Sequence, residues 1–116
     1  MLTKANDHFG SSNGSGTFYA HQYAFLYTEG VKELVEACQS YWLLDLIISH
    51  QYKPALKQQP FQSWELIRAK ETTFDVIATD GNHHIIASQQ IEYSDFRYDQ
   101  AIIWLVDNIL MLPKEY

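Results

Sequence analysis

The sequence has one cysteine, three prolines and five glycines in 116 residues. A lone thiol excludes an intramolecular disulfide framework and fits a reducing compartment. The longest apolar run, around residues 41–48, is far short of the roughly twenty residues that span a bilayer. Residues 1–16 are polar and lack the apolar stretch of a signal peptide, so a cytoplasmic setting with no membrane partner is expected. Cations are scarce: eight Lys and Arg stand against fourteen Asp and Glu, for a net charge of −6. They are scattered, with only Lys53 and Lys57, and Arg68 and Lys70, near one another. A nucleic-acid backbone repels such a surface, so direct DNA or RNA binding is not expected.

The motifs of chemistry are also missing. No glycine-rich loop follows a strand to cradle phosphate, and no serine sits in a nucleophile elbow. The five histidines, at 8, 21, 50, 83 and 84, show neither the i, i+4 nor the i, i+2 spacing of a local metal site. They read as solvent-exposed loop histidines. Cys38 lies on an apolar helical stripe, where a thiol acts as a small hydrophobe. No catalytic residue, metal or cofactor is therefore assigned.

Aromatic side chains, by contrast, are abundant at 15%, within a hydrophobic content of 47%. That is enough to build one core, and any ring left exposed marks a contact surface. Residues 1–16 end in Ser11-Ser12-Asn13-Gly14-Ser15-Gly16 and read as a flexible polar segment, with one helical turn within 2–9. Residues 17–116 form a single domain. Within it, 18–27 reads as a short extended piece. Thr28 caps a first helix whose buried stripe is Val31, Leu34, Val35 and Cys38. Ser40 caps a second helix that is apolar nearly all round. Residues 52–60 hold two prolines and read as a loop.

Past Phe61 the apolar period changes from about 3.6 to 2. Strands are expected at 64–68, 74–78, 85–92, 101–106 and 109–112. Asp80-Gly81-Asn82 supplies one tight turn. Asp107-Asn108 supplies another, because both types tolerate positive φ. The expected fold is α+β, with two consecutive helices packed on a five-stranded antiparallel meander.

Several short pieces, taken in order, resemble an uncharacterised bacterial domain-of-unknown-function family. They are Tyr27-Thr28-Glu29-Gly30-Val31-Lys32, Tyr41-Trp42-Leu43-Leu44-Asp45, Asp80-Gly81-Asn82, Ile91-Glu92-Tyr93-Ser94-Asp95-Phe96 and Leu112-Pro113-Lys114-Glu115-Tyr116. The family's usual proline after Asp-Phe is replaced here by Arg97. The resemblance implies one compact bacterial domain and no activity.

Asp45 is the one acid inside the apolar second helix, so it needs a partner or a cleft, with Arg68, Lys32 or a tyrosine hydroxyl as candidates. Glu92 and Asp95 are paired carboxylates at a strand end, where turn chemistry through Ser94 and Asp95 outweighs catalysis. Tyr116 is expected to dock its ring on the sheet. Three functions fit. The first is a non-enzymatic interaction or accessory domain that self-associates or binds a protein partner. The second is a small-molecule-binding or hydrolytic protein with a pocket between sheet and second helix, lined by Asp45, His50, Glu92, Tyr93 and Asp95. The third is an acidic inhibitor of a nucleic-acid enzyme.

Overall fold

The computed structural model describes residues 2–10, 18–21 and 24–116. Among them, seven strands build one mixed sheet: β1 (Phe18–Ala20), β2 (Leu26–Thr28), β3 (Phe61–Arg68), β4 (Phe74–Thr79), β5 (Ile85–Ile91), β6 (Gln100–Val106) and β7 (Ile109–Met111). Between β2 and β3 the chain forms α1 (Glu29–Ala37), α2 (Tyr41–His50) and a single turn, α3 (Pro54–Lys57). The α+β class stands, but the five-stranded antiparallel meander does not. The spatial order is β1-β2-β7-β6-β3-β4-β5, and β2 runs parallel to β7. The region read as a loop at 52–60 holds α3, started by Pro54, whose missing N–H is harmless in a first turn. No helix among the described residues is long and apolar enough to cross a membrane.

β3, β4 and β5 are consecutive antiparallel neighbours, as expected, but β6 returns to the far side of β3. The spatial order β6-β3-β4-β5 is a Greek key. Its long crossover, residues 92–99, is gathered by Arg68 at the end of β3. The guanidinium donates from Nε to Asp99 Oδ1 at 2.9 Å, from Nη2 to the Phe96 carbonyl at 2.7 Å, and from Nη1 to the Glu71 carbonyl. The Thr3 N–H and the Arg68 guanidinium both bond the Asp99 carboxylate and hold its pKa below the usual range.

Alternation sorts the strands into two faces. Gln62, Trp64 and Leu66 of β3, Phe74, Val76 and Ala78 of β4, and Ala101, Ile103 and Leu105 of β6 are all buried. They face Leu43, Leu44, Ile47 and Ile48 of α2 and Val31, Leu34 and Val35 of α1 in one core. Each fully buried large side chain there contributes about 1.5–3 kcal/mol relative to exposure. The intervening strand residues point to a second face, against which no α-helix packs among the described residues.

The upper part of β6 pairs with β7 through Asp107 and Asn108, whose φ values of 50° and 64° are those of the tight turn their types favour. The lower part is edged by residues 2–10. Lys4 bridges Gln100, and the Asn6 side chain imitates a strand residue. Its Oδ1 accepts from the Ile102 N–H at 2.6 Å, while its Nδ2 donates to the Ile102 carbonyl at 2.8 Å. The expected helical turn is present as a 3-10 turn, Ala5–Asp7, with Ala5 fully buried. The Ser/Gly run at 11–16 lies outside the described residues.

Both helix starts were legible, but only one cap forms. Thr28 Oγ1 accepts from the Val31 N–H at 3.3 Å and caps α1 as expected. The helix stops where Gln39 takes φ +51° and the Ser40 N–H returns to the Val35 carbonyl at 2.8 Å. That reversal carries Ser40 into the core, and its hydroxyl, fully buried, caps nothing and has no hydrogen-bond partner among the described residues. Ser40→Ala is therefore expected to leave stability unchanged or raise it by up to about 1 kcal/mol, whereas removing a working cap lowers it by about the same amount. Urea unfolding, read as a shift of midpoint at constant slope, gives the sign.

Candidate functional site

A cavity of about 400 Å³ opens between α2, α3 and the β6–β7 turn. This is within the range of small-molecule sites. Its inner wall is apolar and buried: Ile48 from α2, Leu56 from α3 and Leu105 from β6, with Phe25 beside them. Polar groups enter the wall at Gln51 and Gln62. These two amides pair face to face, each donating to the other's Oε1 at 2.8 Å. Gln62 is almost fully buried and fully used. Its Nε2 also donates to the Leu56 carbonyl at 3.0 Å, and its Oε1 also accepts from Trp64 Nε1 at 2.9 Å. Gln51 spends its second N–H on the Ile47 carbonyl at 3.0 Å, leaving one lone pair on its Oε1. At the exposed mouth stand Lys57 and Asp107, of opposite charge, with Asn108.

A pocket between sheet and second helix thus exists, but none of the five residues picked from sequence lines it. Asp45 is exposed on α2, because the buried stripe Leu43, Leu44, Ile47 and Ile48 leaves position 45 on the outer side. Among the described residues it pairs with none of the three candidates proposed for it. Its Oδ1 lies 3.0 Å from His21 Nε2. His50 is buried, not exposed, at the C-terminal end of α2. Its Nδ1 accepts from Lys53 Nζ at 2.9 Å, so Nε2–H is the donor to Gln89 Oε1 at 2.8 Å. Glu92, Tyr93 and Asp95 are exposed on the crossover. Ser94 carries the turn chemistry there, with its Oγ accepting from the Phe96 N–H at 3.1 Å. Cys38 is buried, and that burial pushes its thiol pKa up, as its place on the apolar stripe implied.

The second face of the sheet is the other candidate surface. The strand register sets Phe61 beside Val106, then Thr79, Ser63, Trp104 and Met111 in one row, Ile77, Glu65 and Ile102 in the next, and Asp75, Ile67 and Gln100 after that. All are partly exposed. Tyr116 sits edge-on to Trp104 and Phe61, with ring centroids 5.6 and 6.5 Å away, so the tail ring docks on the sheet as expected. It covers one end of the face only. The charged residues at these strand positions are the carboxylates Glu65 and Asp75; there is no Lys or Arg.

One constellation had no sequence signal short of the fold itself. The Glu115 carboxylate reaches the start of α1, accepting from the Thr28 hydroxyl at 2.6 Å, the Gly30 N–H at 3.1 Å and, within its own turn, the Leu112 N–H at 2.9 Å. The Thr28-Glu29-Gly30 and Leu112-Pro113-Lys114-Glu115 pieces, at opposite ends of the domain, are two halves of one helix cap.

A family model described as a family of unknown function (DUF6876) matches residues 3–116. No curated protein and no solved structure matches the chain.

Proposed function

The chain belongs to the family of unknown function DUF6876, and from that premise we propose that it is a non-enzymatic interaction domain whose working surface is the helix-free face of the sheet. The observation that supports this reading is the makeup of that face: Phe61, Ile67, Ile77, Ile102, Trp104, Val106 and Met111 at outward positions across four strands, among Ser63, Thr79 and Gln100, with two carboxylates and no cation at these positions. Antiparallel sheets normally turn a polar face to water, and a contiguous apolar one marks a contact surface. The charge selects the occupant. A protein partner that presents apolar side chains around a Lys or Arg satisfies Glu65 and Asp75 while covering Ile77, Ile102 and Trp104. A second copy would set these carboxylates against their own kind, on a chain already at −6.

An amphipathic helical peptide of leucine and lysine serves as the probe. It is expected to shift the backbone amide resonances of β3, β4 and β6 at the outward positions. Glu65→Gln with Asp75→Asn should weaken binding about tenfold and flatten its salt dependence. Ile102→Glu should abolish binding while the circular dichroism stays unchanged. Shifts confined to other surfaces, or a dimer in sedimentation equilibrium that Ile102→Glu dissociates, would overturn the reading, the latter in favour of self-association.

A further inference from the structure

We propose that the cavity between α2, α3 and the β6–β7 turn is a binding site for a free hydrophobic amino acid, preferring one whose side chain carries a hydrogen-bond donor. This site lies on the helix-covered side of the sheet and is independent of the interaction surface proposed above.

The charges at the mouth define one end of the ligand. Lys57 and Asp107 line the same opening, and neither has an ion-pair or side-chain hydrogen-bond partner among the described residues. One cation and one anion at one mouth suit a molecule carrying both charges: its carboxylate toward Lys57, its ammonium toward Asp107. A simple anion or a simple amine uses one of them and leaves the other idle. Asn108, beside Asp107 at the turn, adds a side-chain amide without a side-chain hydrogen-bond partner among the described residues.

The wall defines the other end. Phe25, Ile48, Leu56 and Leu105 present apolar surface to a volume of about 400 Å³, room for an aromatic or branched side chain. The polar floor is nearly silent, because both N–H groups of Gln51 and both of Gln62 are spent, as is the Gln62 oxygen. Of the paired amides what remains is a single acceptor, the second lone pair of Gln51 Oε1, while Tyr52 and Gln59 line the cavity farther along the chain. A ligand group reaching it must donate. An indole N–H or a phenol O–H does so; a phenyl ring does not, and a carbonyl or carboxylate is repelled. A free amino acid satisfies the pattern at both ends, whereas a residue inside a peptide carries neither terminal charge.

Isothermal titration of the full chain with L-tryptophan, L-phenylalanine, tryptamine and indole-3-propionate tests each part separately. L-tryptophan is expected to bind saturably with Kd below about 1 mM, and L-phenylalanine several-fold more weakly. Lys57→Met should weaken L-tryptophan about tenfold and leave tryptamine unchanged. Asp107→Asn, which keeps a residue tolerant of the turn's positive φ, should weaken L-tryptophan and tryptamine about tenfold and leave indole-3-propionate unchanged. Ile48→Trp, filling the cavity from α2, should remove binding of all four, with amide spectra reporting that the fold is kept. Absence of saturable binding up to about 10 mM, or binding that ignores both charge substitutions, would overturn the assignment. Neither result touches the sheet-face proposal, whose peptide probe reads β3, β4 and β6 on the other face.

Discussion

Gln62→Leu is expected to lower the unfolding free energy by about 3 kcal/mol and the melting temperature by roughly 12 °C. The substitution keeps the volume and adds apolar surface, so a purely hydrophobic view of β3 predicts little change. The hydrogen-bond geometry predicts otherwise. Trp64 Nε1–H, on a side chain almost fully buried, loses its acceptor. The Leu56 carbonyl loses a donor, and Gln51 loses both of its contacts across the amide pair. Each buried group left unpaired costs about 1–3 kcal/mol, only partly offset by the leucine side chain. The network also predicts non-additivity. Gln51→Leu combined with Gln62→Leu should lose less than the sum of the two, since Gln51 has already lost its partner in the single variant. Denaturant unfolding gives all the terms. A loss under about 0.5 kcal/mol for Gln62→Leu would mean that the amide pair is replaceable by ordinary packing.

Gln62 also shows why the site was less legible than the fold. In the sequence it is a polar residue beside Phe61, two before Trp64, where the strand is expected to begin. Nothing local distinguishes it from a solvent-facing glutamine. Only the alternation phase of β3, fixed by Trp64 and Leu66 pointing inward, puts position 62 in the core. The cavity is assembled from Phe25, residues within 48–62 and residues within 105–108, so no single spacing along the sequence could announce it. Asp45 misled for the opposite reason. Its neighbours are all apolar, yet the helix turns 100° per residue and leaves it on the outside.

The four longer strands, the first two helices, both chain reversals and, through the Asp107-Asn108 turn, β7 followed from period and turn chemistry, because those signals are local. Three things were not local. β1 and β2 are three residues each, too short to show a period, and β2 joins the sheet by a parallel pairing with β7 that no hairpin specifies. The meander and the Greek key share one alternation pattern, so inward and outward residues cannot tell them apart. The difference is made by the crossover at 92–99 and by Arg68, whose bonds to Asp99 and Phe96 span about thirty residues. Finally, the edge of β6 is closed by Asn6 from the far end of the chain, in a segment whose composition reads as linker.

The same long-range logic predicts that one substitution changes sign with its background. Gly30 lies inside the first turn of α1, where alanine ordinarily stabilises a helix by up to about 1 kcal/mol. A Cβ at this position would come within 2.7 Å of Glu115 Oε2, and no atom outside the Glu115 carboxylate is among its three nearest neighbours. Gly30→Ala must therefore push the acid away from the Gly30 N–H and the Thr28 hydroxyl that it now satisfies. Losing those charge-assisted bonds costs about 2–3 kcal/mol, which exceeds the gain in helix propensity, so the single variant is destabilised by about 1–2 kcal/mol. Glu115→Ala is destabilised by about 2–3 kcal/mol for the same reason, with the Leu112 N–H also left unpaired. With the carboxylate already gone, the three closest contacts of the new Cβ are gone with it, and Gly30→Ala should raise stability by up to about 1 kcal/mol. A double-mutant cycle by urea unfolding measures the reversal directly. If Gly30→Ala destabilises equally in both backgrounds, the crowding is not with Glu115. The two signature pieces would then be neighbours without being a single cap.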